Sequence, residues 1–195
     1  MKLAHHYDGL LDLIPERRAE AEGFLDFLEN ETNWLTCPAS TEHHLNVRGG
    51  LIAHSIIATR TLLRMKESLG RNNISNESCV VAGLFHDVGK VGGPGQPFYI
   101  EEKKNGRVTY LVNQKLVAMG QGVRSLYLCA GGLKLSDEEA QAICYHDGQY
   151  IPDNLSIKNK EQPLTLLLHF ADMWASHVLE ADDSDPKLKQ LLEAD

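Results

Sequence analysis

Apolar side chains recur along this chain with a helical period over most of its length, and the breaks in that period mark out its elements. After Pro15, which suits a first helical turn, Ala21, Phe24, Leu25 and Leu28 share one face and predict a helix to about Asn30. Leu51, Ile52, Ile56, Ile57, Leu62, Leu63 and Met65 predict a second helix over 51–69, closed by Gly70. Residues 79–85 (Cys-Val-Val-Ala-Gly-Leu-Phe) are apolar without interruption, so a helix capped by Ser75 or Asn76 would be buried on every side there. Residues 121–131 read as a further helix. Ser136 and Glu139 form a capping box for one that runs through Ala140, Ile143 and Cys144 to His146-Asp147, with Gly148 as its stop. Pro163 opens the last long helix, whose wide apolar face comprises Leu164, Leu167, Leu168, Ala171, Trp174, Ala175 and Val178. Residues 1–9 are polar and read as a frayed terminus, His5 and His6 included. Asp185-Pro186 opens a short terminal helix over about 186–194 that packs back or serves oligomerisation.

One stretch changes period. Phe98 to Glu102 and Arg107 to Val112 flank Lys103-Lys104-Asn105-Gly106, and Asn-Gly between alternating runs is a hairpin signal. A β-hairpin over about 97–112 is therefore expected, inserted after the flexible run Val91-Gly-Gly-Pro-Gly-Gln-Pro97. Lys103, Lys104 and Arg107 read as an exposed charged tip, with phosphate contact as the alternative. The fold class expected is all-α with this one small hairpin. A single domain spans 1–195, with its core over about 36–180.

Charge narrows the partners. The chain of 195 residues carries a formal net charge of −8, which argues against duplex nucleic acid and membrane surfaces, both of which need a basic face. Cys37, Cys79, Cys129 and Cys144 contain no Cys-x-x-Cys. Cys79 and Cys144 lie in apolar helical runs and read as small core residues in a reducing compartment. No apolar run resembles a signal peptide or a span, and Leu164–Ala175 is interrupted by His169 and Asp172. A cytoplasmic protein is expected.

Chemistry enters where polar groups break the apolar pattern. The buried run at 79–85 delivers His86, Asp87, Gly89 and Lys90 in quick succession, and a buried imidazole beside a carboxylate needs a partner for both. A metal ion shared with other helices answers that need. His54 sits on the inward face of the 51–69 helix with Ala58, Thr61 and Met65. Asp172 interrupts the apolar face of the last helix, where a carboxylate is costly unless paired or ligating. Two imidazoles and two carboxylates suit Mn, Fe, Co, Ni or Zn. Residues 36–50 hold hydroxyls, His43, His44 and Arg48 before the double glycine Gly49-Gly50. For His44 and Arg48 a substrate-contacting loop and a solvated loop stand level, whereas His43 reads as solvated. His169 and His177 read as structural, and Asp147 as a helix-end residue.

The order His54 … His86-Asp87 … Asp172, with Gly49-Gly50-Leu51-Ile52-Ala53-His54-Ser55 before it and His86-Asp87-Val88-Gly89-Lys90 at its centre, resembles the HD-domain metal-dependent phosphohydrolases. The resemblance covers about 36–180. Pro38-Ala39-Ser40-Thr41, His44, the hairpin and the 135–146 segment are similar to small HD proteins of bacteria and their phages. The resemblance implies an all-helical fold and hydrolysis of phosphomonoesters or phosphodiesters, usually of nucleotides, by metal-activated water. It implies His54, His86, Asp87 and Asp172 as metal ligands, with Asp87 bridging if a second ion binds, and Lys90 as a phosphate contact. His146 matches a residue that helps hold the second metal in dinuclear members. Those members carry a further His, expected within Gly-His-Gly, where this chain reads Gly120-Gln121-Gly122. One ion is therefore favoured over two, with His146 and Gln121 binding substrate or water.

Three functions follow. The first is hydrolysis of a nucleoside mono- or triphosphate, with Asp87, Lys90 and His146 as catalytic residues and His44, Arg48, Lys90, Gln121 and His146 on the substrate. The second is a phosphodiesterase acting on cyclic nucleotides or short oligonucleotides, and the third a non-catalytic HD protein that binds or sequesters a nucleotide.

Overall fold

The computed structural model describes residues 5–104 and 106–181. Its helices are α1 (His5–Leu11), α2 (Arg18–Glu31), α3 (Gly50–Ser68), α4 (Asn76–Phe85), α5 (Gln121–Gly132), α6 (Asp137–Tyr145) and α7 (Pro163–Trp174). Among the described residues the fold is all-α apart from one antiparallel hairpin, β1 (Tyr99–Lys104) paired with β2 (Arg107–Val112). Lys104 faces Arg107 across the turn, where Gly106 takes a positive φ of 76°. Tyr99 and Tyr110 are buried, whereas Lys103, Lys104 and Arg107 are exposed.

Helix α3 lies between α4 and α7, and α6 packs on both α7 and α5. The faces in contact are the apolar stripes: Ile52, Ile56 and Leu62 of α3, Val80 and Leu84 of α4, and Leu164, Leu168 and Ala171 of α7 are all buried. The capping box of α6 closes in both directions, with Glu139 N–H on Ser136 Oγ at 3.2 Å and Ser136 N–H on Glu139 Oε2 at 3.0 Å. Glu139 also receives Arg17 through two bonds of 2.7 and 2.9 Å, tying α6 to the start of α2.

The double glycine has a steric reason. Gly49 holds a φ of 77° at the N-cap of α3, a conformation that costs a side chain about 1–2 kcal/mol. A Cβ on Gly50 would come within 2.0 Å of the Leu45 carbonyl oxygen. The 36–50 segment therefore lies flat on the helix start, with Leu51 N–H bonded to Cys37 O at 3.0 Å.

Two expectations need correction. Residues 5–11 are helical rather than frayed, because Tyr7, Leu10, Leu11 and Ile14 form a buried stripe that the polar residues between them obscure. Trp174 and Val178 are half-exposed rather than part of the buried face of the last helix. The helix widens into a π turn over Ala175–Leu179, which takes Val178 off the buried stripe. Cys79 is buried and Cys144 partly so. The terminal helix expected over 186–194 lies outside the described residues, as do the side chains of His5 and His6. Among the described residues, no helix is long and apolar enough to cross a membrane.

Candidate metal centre

Helix α4 ends at Phe85, so His86 is its C-cap and Asp87 already leaves helical geometry, with φ −107° and ψ 8°. That break lets two adjacent side chains turn towards one point. A 3-10 turn over Val88–Val91 then folds Lys90 back, and its Nζ bonds Asp87 Oδ2 at 2.6 Å. His54 enters from α3 and Asp172 from α7. His54, His86 and Asp87 are buried, and the Asp172 side chain is 18% exposed, which leaves the centre one open side.

The hydrogen bonds fix which nitrogen of each imidazole faces inward. His86 Nδ1 lies 2.7 Å from Gly83 O, and His146 Nδ1 lies 2.8 Å from Ile143 O. A carbonyl oxygen only accepts, so both Nδ1 atoms carry the proton and both Nε2 atoms present lone pairs when the rings are neutral. His54 Nδ1 donates to the carboxylate of Glu180 at 3.0 and 3.1 Å, with the same consequence. His54 Nε2 and His86 Nε2 then face each other at 3.2 Å. Two lone pairs at that distance repel unless a proton or a metal ion lies between them.

The carboxylates complete the set. Asp172 Oδ1 lies 3.1 Å from His54 Nε2 and 3.9 Å from His86 Nε2, and Asp87 Oδ2 lies 3.5 and 3.6 Å from the same two atoms. Ligands about 2.1 Å from a transition ion stand roughly 3.0–3.4 Å from each other, so these separations fit one shared ion after small adjustments. His54, His86 and Asp87 form one grouping able to hold an ion, and His86, His146 and Asp172 an overlapping one.

Without a metal, protons do the balancing. Burial pulls His54 down, but the Glu180 and Asp172 carboxylates outweigh it and raise the imidazole to about 10. Burial dominates at His86, which falls to about 4. At His146, burial is overcome by Asp147 and Asp87, raising it to about 9. Burial resists ionisation of Asp87, yet Lys90, His86 and His146 hold it well below the usual carboxylate range, and His54 does the same for Asp172. Lys90 is held above its ordinary value, with Asp87 overcoming the burial cost.

Gln121, at the start of α5, donates from Nε2 to Asp87 Oδ1 at 2.6 Å, and His146 Nε2 lies 3.3 Å from the same oxygen. Gln121 reaches there because α5 lies directly on the end of α6. A Cβ on Gly122 would approach Cys144 O to 2.1 Å, so the glycine is required. Gly89 N–H bonds Ser125 Oγ at 2.9 Å and fixes α5 to the Lys90 turn.

The structure thus brings together His54, His86, Asp87, Lys90, Gln121, His146 and Asp172. His44 joins them on the cleft wall, its Nδ1 2.5 Å from Glu180 Oε2. Arg48 is exposed and outside the residues lining this cleft of about 250 Å³. His169 bonds the His146 carbonyl at 2.7 Å. The residue missed from the sequence is Glu180. Burial resists its ionisation, but His54 and His44 hold it down at about 2. The π turn closes with Glu180 N–H on Ala175 O at 3.0 Å, and α7 with its π turn thereby grips both nitrogens of His54, Asp172 on one and Glu180 on the other.

Comparison with curated proteins and with solved structures gives no significant match. A model of the HD domain matches residues 51–174, the span from the start of α3 through α7 that carries all four residues of the shared-ion set. With His54, His86-Asp87 and Asp172 in that order around one point, the chain belongs to the HD-domain superfamily of metal-dependent phosphohydrolases.

Proposed function

We propose that the chain hydrolyses a phosphate ester of a nucleotide with one divalent transition-metal ion held by His54, His86, Asp87 and Asp172. The observation that carries this reading is the pair of inward Nε2 atoms 3.2 Å apart, each ring fixed through Nδ1 by an outer acceptor, with two carboxylate oxygens beside them. A bound ion supplies Lewis acidity, polarising a phosphoryl oxygen and acidifying water.

The remaining roles fall to the chain itself. Lys90 pins Asp87 Oδ2 and gives an acidic protein a local cation for the phosphate. His44, its Nδ1–H committed to Glu180, is left with Nε2 as an acceptor for a hydroxyl of the substrate or for a water on the cleft wall. His146, its Nδ1–H fixed on Ile143 O, turns Nε2 towards Asp87 beside the cleft and is placed to pass a proton to the leaving oxygen. Gln121 occupies Asp87 Oδ1, the oxygen that a second ion would need, which favours one ion over two.

The test is a product screen. Protein supplied with Mn²⁺ or Co²⁺ is incubated with nucleoside mono- and triphosphates, cyclic nucleotides and short oligonucleotides, beside an Asp87→Ala control. Phosphate or triphosphate released from a mononucleotide by the wild type alone is the expected result. Opened rings or shortened oligonucleotides would replace this reading by the phosphodiesterase. Silence with metal bound would replace it by a binding protein.

A further inference from the structure

We propose that a second cavity, beside the metal centre, seats the nucleobase of the substrate; for its phosphate end this rests on the reading above. The connection between α6 and α7 is longer than the roughly 2–8 residues usual between packed helices, and it is pinned along its length. Asn154, 8% exposed, donates from Nδ2 to Gly148 O at 2.9 Å. Gln141 Oε1 accepts from Gln162 N–H at 2.7 Å and from Thr165 Oγ1 at 2.9 Å. Together with α7 this segment borders a half-open cavity of about 360 Å³, within the range of small-molecule sites.

The partition between the two cavities is built. His169 Nδ1 donates to the His146 carbonyl, and its ring lies so close to Gly148 that a Cβ there would come within 2.5 Å. Tyr150 and His169 line both cavities, which therefore adjoin across these two side chains. Their chemistry differs. The metal-side cleft holds Lys90 and several imidazoles. The second cavity has no Lys or Arg in its lining; Tyr145, Tyr150, Leu166 and Phe170 form its walls, and Glu161 is its one carboxylate. Phe170 is 54% exposed and Tyr150 73% exposed, so both rings are free to stack on a ligand. A phosphate is repelled there, whereas a flat uncharged ring is welcome. A molecule that fills both spaces carries an anion at one end and an aromatic ring at the other, as a nucleoside phosphate does and a sugar phosphate does not.

The test compares wild type with Leu166→Trp, which fills the cavity, and Phe170→Ala, which removes one ring; melting curves confirm that both variants fold. Saturation-transfer NMR on adenosine and guanosine reads the cavity without any phosphate. The ratio of kcat/KM for nucleoside monophosphates over ribose 5-phosphate reads it in turnover. Base stacking predicts a ratio of about tenfold or more in the wild type, falling towards one in Leu166→Trp, with saturation transfer lost in parallel. Hydrolysis of both esters at a ratio near one, with no nucleoside signal, would overturn the cavity and leave the hydrolase. Nucleoside signals abolished by Leu166→Trp, with no ester hydrolysed, would sustain the cavity and remove the hydrolase.

Discussion

Replacing Glu180 by Ala should weaken metal binding without touching a ligand atom. The wild-type carboxylate is buried and accepts from His54 Nδ1 at 3.0 Å and His44 Nδ1 at 2.5 Å. His44 is partly exposed and regains water when the carboxylate goes, whereas the His54 side chain is 1% exposed and does not. An orphaned buried N–H costs about 1–3 kcal/mol, and loss of an outer-shell partner of a ligating His typically costs 10–100-fold in metal affinity. Glu180→Gln keeps an acceptor oxygen and should lose less. The pH dependence carries the sharper sign. Against the pull of burial, the Glu180 and Asp172 carboxylates raise the His54 imidazole to about 10 from 6.5, and a metal binding at Nε2 must displace the proton there while the Nδ1 proton stays on Glu180. Wild-type affinity should therefore rise steeply from pH 6.5 to 8.5, while Glu180→Ala, with a less basic His54, rises less. The gap between them widens with pH. Calorimetric titration with Co²⁺ at several pH values measures both. A Glu180→Ala affinity within twofold of wild type at pH 8.5 would refute the role given to this carboxylate.

Other perturbations read other parts of the account. Gln121→His removes the amide from Asp87 Oδ1 and adds an imidazole, so bound metal should rise from one towards two equivalents in anaerobic elemental analysis. Gly122→Ala drives a methyl to 2.1 Å from Cys144 O and should cost about 1–3 kcal/mol in a denaturant titration, as α5 shifts off α6. In metal-free protein, the raised His54 and His146 contribute stability that is complete below about pH 6.5 and declines as pH climbs towards 9–10. The depressed Glu180, Asp87 and Asp172 contribute stability present above about pH 4.5 and lost as pH falls through their lower folded values. Thermal melts across pH should show both flanks, and saturating metal should flatten the alkaline one.

Much of the architecture is legible in the sequence because it depends on local signals. The Ser136–Glu139 capping box, the hairpin on either side of Gly106 and the helical spacing of α3 each need only a few neighbouring residues, and each is present as read. Asp172 was legible for an energetic reason: a carboxylate in an apolar stripe must meet something. Glu180 was not, because its partners His44 and His54 are more than 120 residues away and a π turn sets its direction. The tautomers of His86 and His146 were equally hidden, since they depend on carbonyls at the ends of α4 and α6. The polar residues between Tyr7, Leu10 and Leu11 concealed α1 in the same way that a short window conceals any stripe.

Metal content tests the central claim most directly. Protein purified anaerobically and supplied with Mn²⁺ or Co²⁺ should retain one equivalent per chain, and His86→Ala and Asp172→Ala should each lose it while remaining folded. Two equivalents in the wild type would contradict the closure of Asp87 Oδ1 by Gln121. Retention of a full equivalent by both variants would contradict the centre itself.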